Sequence, residues 1–354
     1  MFKDKYNVIG VMSGTSLDGV DLVYTTLSFS NKWSYKVHYS ETIPYTEYWH
    51  STLSKSVHLE KVALLKLDEE YTNELAKIIS DFINKNNITA IDAICSHGHT
   101  VLHEPQNNYT LQIGNLNKIA TLLNETVVCD FRVQDVQFDG QGAPLVPIGD
   151  RLLFSEYDYC LNLGGFSNIS FEEDKKRIAF DISPVNTVLN LYANKLNLAY
   201  DNKGQIAKKG NINVPLLDEL NNLSFYSKKH PKSLGIEFVN TEVLPIINQY
   251  KIKTEDILRT FTEHVAIQIS NVIKKEKSSL LVTGGGAYHD FLIARIKHFL
   301  PNTSIIIPDG IIIEFKEALV FALLGVLKLR NENNTLCSVT GAKQDHSSGN
   351  IFIP

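Results

Sequence analysis

Two stretches of the chain share one plan, in which an apolar strand runs into a turn of small residues and a second strand leaves it. Asn7-Val8-Ile9-Gly10-Val11-Met12 and Val20-Asp21-Leu22-Val23-Tyr24-Thr25-Thr26-Leu27 flank a Gly/Ser/Thr-rich loop. Tyr159-Cys160-Leu161-Asn162-Leu163 enters Gly164-Gly165, and Ile169-Ser170-Phe171 leaves it. Two halves that each open on such a hairpin point to a duplicated architecture with the turns facing each other. Between them, residues 59–83 repeat apolar side chains at helical spacing (Val62, Leu65, Leu75, Ile78, Ile79, Phe82), and Ile91-Asp92-Ala93-Ile94-Cys95 follows as a short buried strand. Thr254-Glu255-Asp256 reads as a helix start with acidic residues in its first turn, followed by one apolar face of Leu258, Phe261, Val265, Ile269, Val272 and Ile273. Ser279-Leu280-Leu281-Val282-Thr283 reads as a strand running into Gly284-Gly285-Gly286, and residues 317–329 as a mostly apolar helix. This alternation predicts an α/β fold with helix-covered sheets. With no long Pro- or Ser-rich linker, the boundary falls near residues 148–158. That gives units of 1–150 and 151–354, with the C-terminal segment free to pack back on the first.

At 354 residues the chain is long enough for two substantial cores. Its 34 Lys and Arg against 39 Asp and Glu give a net charge of -5 without a basic run, which excludes general nucleic-acid binding. Cys95, Cys129, Cys160 and Cys337 form no CxxC pair, so neither a zinc site nor a disulfide framework is spelled out, and a reducing compartment is expected. The opening residues lack a signal-peptide layout, and the longest apolar run, about 318–327, is half of what spans a bilayer. A soluble, cytoplasmic protein is the expectation.

The first turn, Gly14-Thr15-Ser16-Leu17-Asp18-Gly19, offers backbone N–H groups and two hydroxyls to phosphate oxygens. A carboxylate beside phosphate is repelled unless a cation lies between, so Asp18 or Asp21 implies Mg2+. The Gly-Lys-Ser/Thr ending of a P-loop is missing, and a strand follows where a helix belongs. A plain hairpin turn is the competing reading. Gly164-Gly165-Phe166-Ser167-Asn168 is a second candidate phosphate turn, and Gly284-Gly285-Gly286-Ala287 a place where backbone packs against a nucleotide. Three such turns, each following a strand, resemble the actin/Hsp70/sugar-kinase superfamily, which clamps ATP between opposed hairpins of two related RNase H-like domains. That resemblance implies an inter-domain cleft.

The residues Ile9-Gly10-Val11-Met12-Ser13-Gly14-Thr15-Ser16-Leu17-Asp18-Gly19-Val20-Asp21 resemble the opening signature of the anhydro-N-acetylmuramic acid kinases. Ser96-His97-Gly98-His99-Thr100, His103-Glu104-Pro105 and Leu111-Gln112-Ile113-Gly114-Asn115 follow in order, then Asp130-Phe131-Arg132 with Asp135, and Gly140-Gln141-Gly142-Ala143-Pro144-Leu145-Val146-Pro147. The second half adds Leu161-Asn162-Leu163-Gly164-Gly165-Phe166-Ser167-Asn168, Pro231-Lys232-Ser233, Glu237-Phe238, Gly284-Gly285-Gly286-Ala287, Glu317-Ala318 and Val339-Thr340-Gly341-Ala342. The similarity covers essentially the whole chain.

The resemblance implies an enzyme that uses ATP, Mg2+ and water to open the 1,6-anhydro bridge of 1,6-anhydro-N-acetylmuramic acid, a sugar released from peptidoglycan, and to phosphorylate the freed O6. It places the general base on Asp181 and the phosphate and nucleotide contacts on Gly14, Thr15, Ser16, Leu17, Asp18, Gly19, Val20, Asp21, Gly164, Gly165, Gly284, Gly285 and Gly286. It places the sugar contacts on Thr100, Glu104, Arg132 and Glu317, with Mg2+ at Asp18 directly or through water. It also implies a homodimer. From local sequence alone, Asp181 reads equally as a cap of the following helix, Arg132 as the partner of Asp130 or Asp135, and Glu317 as a helix opener. His97, His99 and His103 form an H-x-H-x3-H string, read as loop histidines lining the sugar cleft rather than as zinc ligands. Lys232 could meet phosphate or a carboxylate, or simply be solvated.

Some positions depart from the family's usual residues. Ser183-Pro184-Val185-Asn186 stands where Gly-Pro-Gly-Asn is usual, which predicts added side chains where backbone should approach a ligand. Asn190, Leu234, Ile236, His289 and Asp150 replace Asp, Thr, Arg, Asn and His. Two other readings compete: a diverged kinase of another amino sugar, and a non-enzymatic ATP clamp of the actin or chaperone type.

Overall fold

A computed structural model describes residues 2–14 and 17–354. The chain divides into two compact units: one runs through Leu153 and takes in Phe315–Pro354, and the other is Phe154–Glu314.

The first unit opens with an antiparallel meander, β1 (Lys5–Ser13), β2 (Gly19–Ser30) and β3 (Lys32–Pro44). β4 (Ala93–Glu104) then lies parallel to β1, β5 (Tyr109–Ile113) folds back along β4, and β6 (Val127–Cys129) lies parallel to β4. The second unit repeats the plan. β7 (Tyr159–Leu163), β8 (Phe166–Glu173) and β9 (Lys176–Pro184) make the meander, β10 (Ser279–Thr283) lies parallel to β7, and β11 (Ser304–Ile306) parallel to β10. β12 (Asn350–Phe352) returns to the first sheet, antiparallel to β6. Among the described residues the sheets order as β12-β6-β4-β1-β2-β3, with β5 on β4, and as β11-β10-β7-β8-β9. A meander flanked by two parallel strands on the side of its first strand, built twice, is the duplicated RNase H-like α/β architecture that the paired hairpins predict.

Parallel neighbours need a crossover, and helices supply it. The Lys61–Lys85 helix leads from β3 to β4 and buries Leu64, Leu67, Tyr71, Leu75, Ile78, Ile79 and Phe82. Val62 and Leu65, assigned to that face from sequence, are exposed instead. At 3.6 residues per turn the stripe through Leu67, Tyr71, Leu75 and Phe82 leaves them on the opposite side. The Thr254–Val272 helix covers the second sheet with Leu258, Phe261, Val265 and Ile269, as its spacing predicts. Its acidic first turn does not cap it, since Asp256 accepts the Asn211 N–H at 2.6 Å.

The Gly310–Leu329 helix lies across the first sheet from Lys61–Lys85. A Cβ on Gly10 of β1 would sit 1.9 Å from the Ala318 carbonyl oxygen, so this strand and helix meet at backbone distance. Among the described residues no helix is long and apolar enough to cross a membrane.

Candidate active site

In the first unit, β1 ends at Ser13, whose hydroxyl lies 2.9 Å from His99 Nδ1 and 2.6 Å from the Tyr45 hydroxyl; the Tyr71 hydroxyl donates to it at 3.0 Å. These bonds fix the backbone just where it enters the Gly14–Gly19 turn. Within the turn, the Leu17 N–H reaches the Gly14 carbonyl at 3.4 Å, and Asp18 is exposed. Thr15 and Ser16, two of the predicted phosphate donors, lie outside the described residues. Val20 is fully buried in the first core, so only its backbone remains for a ligand. Asp21 accepts the Thr42 hydroxyl at 2.6 Å.

Of the sugar candidates, Arg132 and Glu317 lie within electrostatic reach of each other. Arg132 Nε donates to His97 Nε2 at 2.8 Å and its Nη1 to the Gly142 carbonyl at 2.6 Å. The ring's other nitrogen, Nδ1, lies 2.8 Å from the Gly98 carbonyl. A ring accepting at Nε2 must carry its proton on Nδ1, so both bonds define one neutral tautomer. Burial and the adjacent guanidinium hold His97 well below the usual imidazole range. Burial lowers Arg132 itself to about 10, with Glu317 and Asp135 pulling the other way. Asp135 is fully buried and accepts from the Gly142 N–H at 2.6 Å and the Thr340 hydroxyl at 2.7 Å, which clamps the Gly140–Gly142 turn that faces Arg132. Asp130 instead accepts from Asn350 at 2.9 Å, with burial raising it to about 6. Glu317 is exposed near the start of the first unit's share of the Gly310–Leu329 helix. The protein around it raises its carboxyl, while Arg132 and Lys316 draw it down. Thr100 is half-buried on β4 opposite Gln112, and Glu104 accepts from Asn107 at 2.9 Å.

The histidine string corrects one expectation. His97, His99 and His103 lie on β4, not in a loop, and the first two are buried. Among the described residues no group of three metal-binding side chains forms. The signal was present in the alternation of His97 and His99 after the apolar Ala93-Ile94-Cys95, which is strand period.

In the second unit, Asp181 sits half-buried on β9. The Leu234 N–H donates to its Oδ2 at 2.8 Å, and its own N–H donates to the Lys232 carbonyl at 3.1 Å. Among the described residues nothing donates to Oδ1. Burial raises the carboxyl above its ordinary range, and the Leu234 bond offsets part of that. Asp181 does not cap the Asn186–Asn194 helix, which starts after Val185 without a side-chain cap. The Gly164-Gly165 turn does that work. Its carbonyls accept the N–H groups of Val185, Asn186 and Thr187 at 2.8–3.3 Å, so these amides are already engaged. The side chains of Ser183 and Val185, expected to crowd a ligand, turn inward. Ser183 Oγ lies 3.0 Å from Ser167 Oγ, and Val185 is fully buried in the second core.

The third turn is held by its first and last glycines. A Cβ on Gly284 would lie 2.5 Å from Asn162 Oδ1, and one on Gly286 2.6 Å from Leu163 Cβ. A Cβ on Gly285 meets nothing closer than 4.0 Å. Gly285 is therefore the position with room for a ligand. His289 caps the Asp290–Phe299 helix, its Nδ1 accepting from the Leu292 N–H at 3.0 Å as an Asn oxygen would.

Mg2+ takes hard oxygen donors, commonly one or two carboxylates plus substrate phosphates and water. Asp18, exposed on the Gly14–Gly19 turn, fits that pattern without a closed protein cage.

A duplicated RNase H-like chain carrying glycine turns after the first strand of each sheet has the fold class of the actin/Hsp70/sugar-kinase superfamily. A family model described as anhydro-N-acetylmuramic acid kinase matches residues 6–354, and the chain belongs to that family. A Haemophilus influenzae protein of that name is 35% identical over 375 residues, covering 97% of each chain, and one from Sulfurovum sp. is 34% identical over 369 residues, covering 100% of each. Among solved structures, a ROK family glucokinase from Streptomyces griseus in complex with glucose and AMPPNP matches 90% of this chain and 99% of its own at 10% identity and TM-score 0.43. By its family the chain is a kinase that uses ATP.

Proposed function

We propose that this kinase opens the 1,6-anhydro bridge of 1,6-anhydro-N-acetylmuramic acid with water and phosphorylates the released O6, giving N-acetylmuramic acid 6-phosphate and ADP. The observation that carries the reading is Asp181, with one carboxylate oxygen fixed by the Leu234 N–H and the other open. Such a group can take a proton from water as the water attacks C1. Its raised pKa brings it nearer to neutrality, where a base works best. As the C1–O6 bond breaks, O6 leaves as an alkoxide unless it is captured, and the γ-phosphoryl group of ATP captures it. The phosphoryl group thus replaces the general acid that a glycosidase needs.

Arg132, held by His97 and Gly142, keeps guanidinium N–H groups for the lactyl carboxylate, to which its planar fork is suited. Thr100, Glu104 and Glu317 are assigned to the sugar's other polar groups. Gly14–Gly19, Gly164-Gly165 and Gly284–Gly286 are assigned to the nucleotide. Asp18 would hold Mg2+, which when bound neutralises charge on the transferred group. The inward-facing Ser183 and Val185 support this sugar over another amino sugar. A homodimer in the cytoplasm belongs to the same reading.

The test is turnover in water enriched in heavy oxygen. The expected product carries the label at C1, and unlabelled product overturns the reading. Asp181→Asn should lower kcat by at least about a hundredfold, a general base being worth about 10²–10⁴, while ATP binding stays intact. The wild-type kcat should fall on the acid side, as Asp181 protonates, with an apparent pKa above that of an ordinary carboxylate.

A further inference from the structure

Ile182, next to Asp181 on β9 and packed in the second core, lines a pocket of about 300 Å³. Its wall includes Asn221, Tyr226, Lys232, Gln268 and Asn271. Lys232 is the one charged residue of that wall among the described residues. Its ammonium stands 4.6 Å from the ring centre of Phe225 and 5.7 Å from that of Phe180, and it donates to the Phe225 carbonyl at 3.3 Å. Aromatic faces and one carbonyl stabilise such a cation only in part. No carboxylate pairs with it among the described residues.

The uncharged side of the wall is rigidly built. His264, fully buried, places Nδ1 2.7 Å from Asn221 Oδ1 and Nε2 2.9 Å from the Tyr226 hydroxyl. Gln268 donates to the same Asn221 oxygen at 2.8 Å. An oxygen that accepts from both neighbours puts the His264 proton on Nδ1 and leaves Nε2 to accept from Tyr226. Both amides are thereby fixed, and the outward atoms, Asn221 Nδ2 and Gln268 Oε1, have no protein partner among the described residues. A half-buried ammonium beside a fixed donor and a fixed acceptor complements an oxyanion that also carries hydroxyl groups.

Lys232 is linked to the candidate base by its own backbone. Its carbonyl accepts the Asp181 N–H, and Leu234, two residues on, donates to the Asp181 carboxylate. We propose that this pocket is a second anion site, for a small hydroxyl-bearing phosphate monoester with Lys232 as its charge partner, whose occupancy is felt at Asp181 through residues 232–234. The binding half stands on the pocket alone. The coupling half rests on Asp181 being the base.

Titration calorimetry on the full chain saturated with Mg-ADP, using glucose 6-phosphate and inorganic phosphate as probes, tests the binding half. One equivalent of glucose 6-phosphate should bind, more tightly than phosphate. Lys232→Gln should weaken it by about tenfold or more, as loss of a charge-assisted hydrogen bond does. Asn271→Asp, at an exposed wall position, should do the same by repulsion, and it keeps the test readable if Lys232→Gln misfolds. Binding that survives the variants, or no binding at millimolar concentration, overturns the site. Equal affinity for both probes overturns the assignment to a hydroxyl-bearing ester. For the coupling half, glucose 6-phosphate should shift the acid limb of the kcat profile in wild type and not in Asn271→Asp, and an unmoved limb overturns it. Should Asp181→Asn stay active, the base assignment falls while the binding result stands.

Discussion

His97 touches no solvent to speak of, yet the orientation of Arg132 depends on it. One neutral ring accepts from the guanidinium and donates to the Gly98 carbonyl. His97→Ala should therefore raise KM for the sugar by about tenfold, on the scale of one hydrogen bond to a charged group, and leave KM for ATP nearly unchanged. His97→Gln, which keeps an acceptor for Arg132, should recover part of the loss. Equal effects on both substrates would mean that His97 serves folding alone. The motif made these residues visible, but their roles were not legible from it. The H-x-H string reads as a loop, whereas β4 takes a left-handed φ of 72° at Gly98 and keeps going. Likewise the Ser183 and Val185 replacements looked intrusive as letters. Only the direction of their side chains, into Ser167 and the second core, shows why they are tolerated.

Among elements, the glycine turn after β10 separates structural need from ligand need. Gly286→Ala drives a methyl to 2.6 Å from Leu163 Cβ and should cost about 1–3 kcal/mol, as overpacking does. Gly285→Ala, with 4.0 Å of clearance, should leave the thermal midpoint nearly unchanged and raise KM for ATP instead. Melting curves and KM values on the two variants decide the matter; a Gly285→Ala change in stability without one in KM would place the nucleotide elsewhere. The hairpins and the long helices were readable because their periods are strong. On Lys61–Lys85 the spacing points to Val62 and Leu65 as well, since a few apolar residues on the solvent side imitate the stripe until the buried Tyr71 fixes its phase.

The molecule as a whole keeps several histidines neutral in its interior. Burial lowers His99 to about 4 and His264 to about 3, and His97 falls well below its ordinary value as well. In the unfolded chain these rings take up protons once the pH drops below about 6.5, while the folded chain resists. Their contribution to stability is thus complete above that pH and is lost as the pH falls through 4 towards 3. The thermal midpoint should decline steadily over that range, and a midpoint flat from about pH 6.5 to pH 4 would contradict the burial of these rings. The duplication was the most legible feature of all, because each half announces itself with the same hairpin. The return of residues 315–354 to the first unit was harder to read, since a helix of mostly apolar residues fits either sheet.

That return has a consequence for synthesis. The second unit is one unbroken stretch and can close on the ribosome as soon as Glu314 is clear. The first sheet, begun earlier, must wait with β1 and β6 uncovered until the last forty residues emerge to supply their helix and edge strand. The half that is translated first is therefore the half that finishes last, and it is where a nascent chain most needs a chaperone.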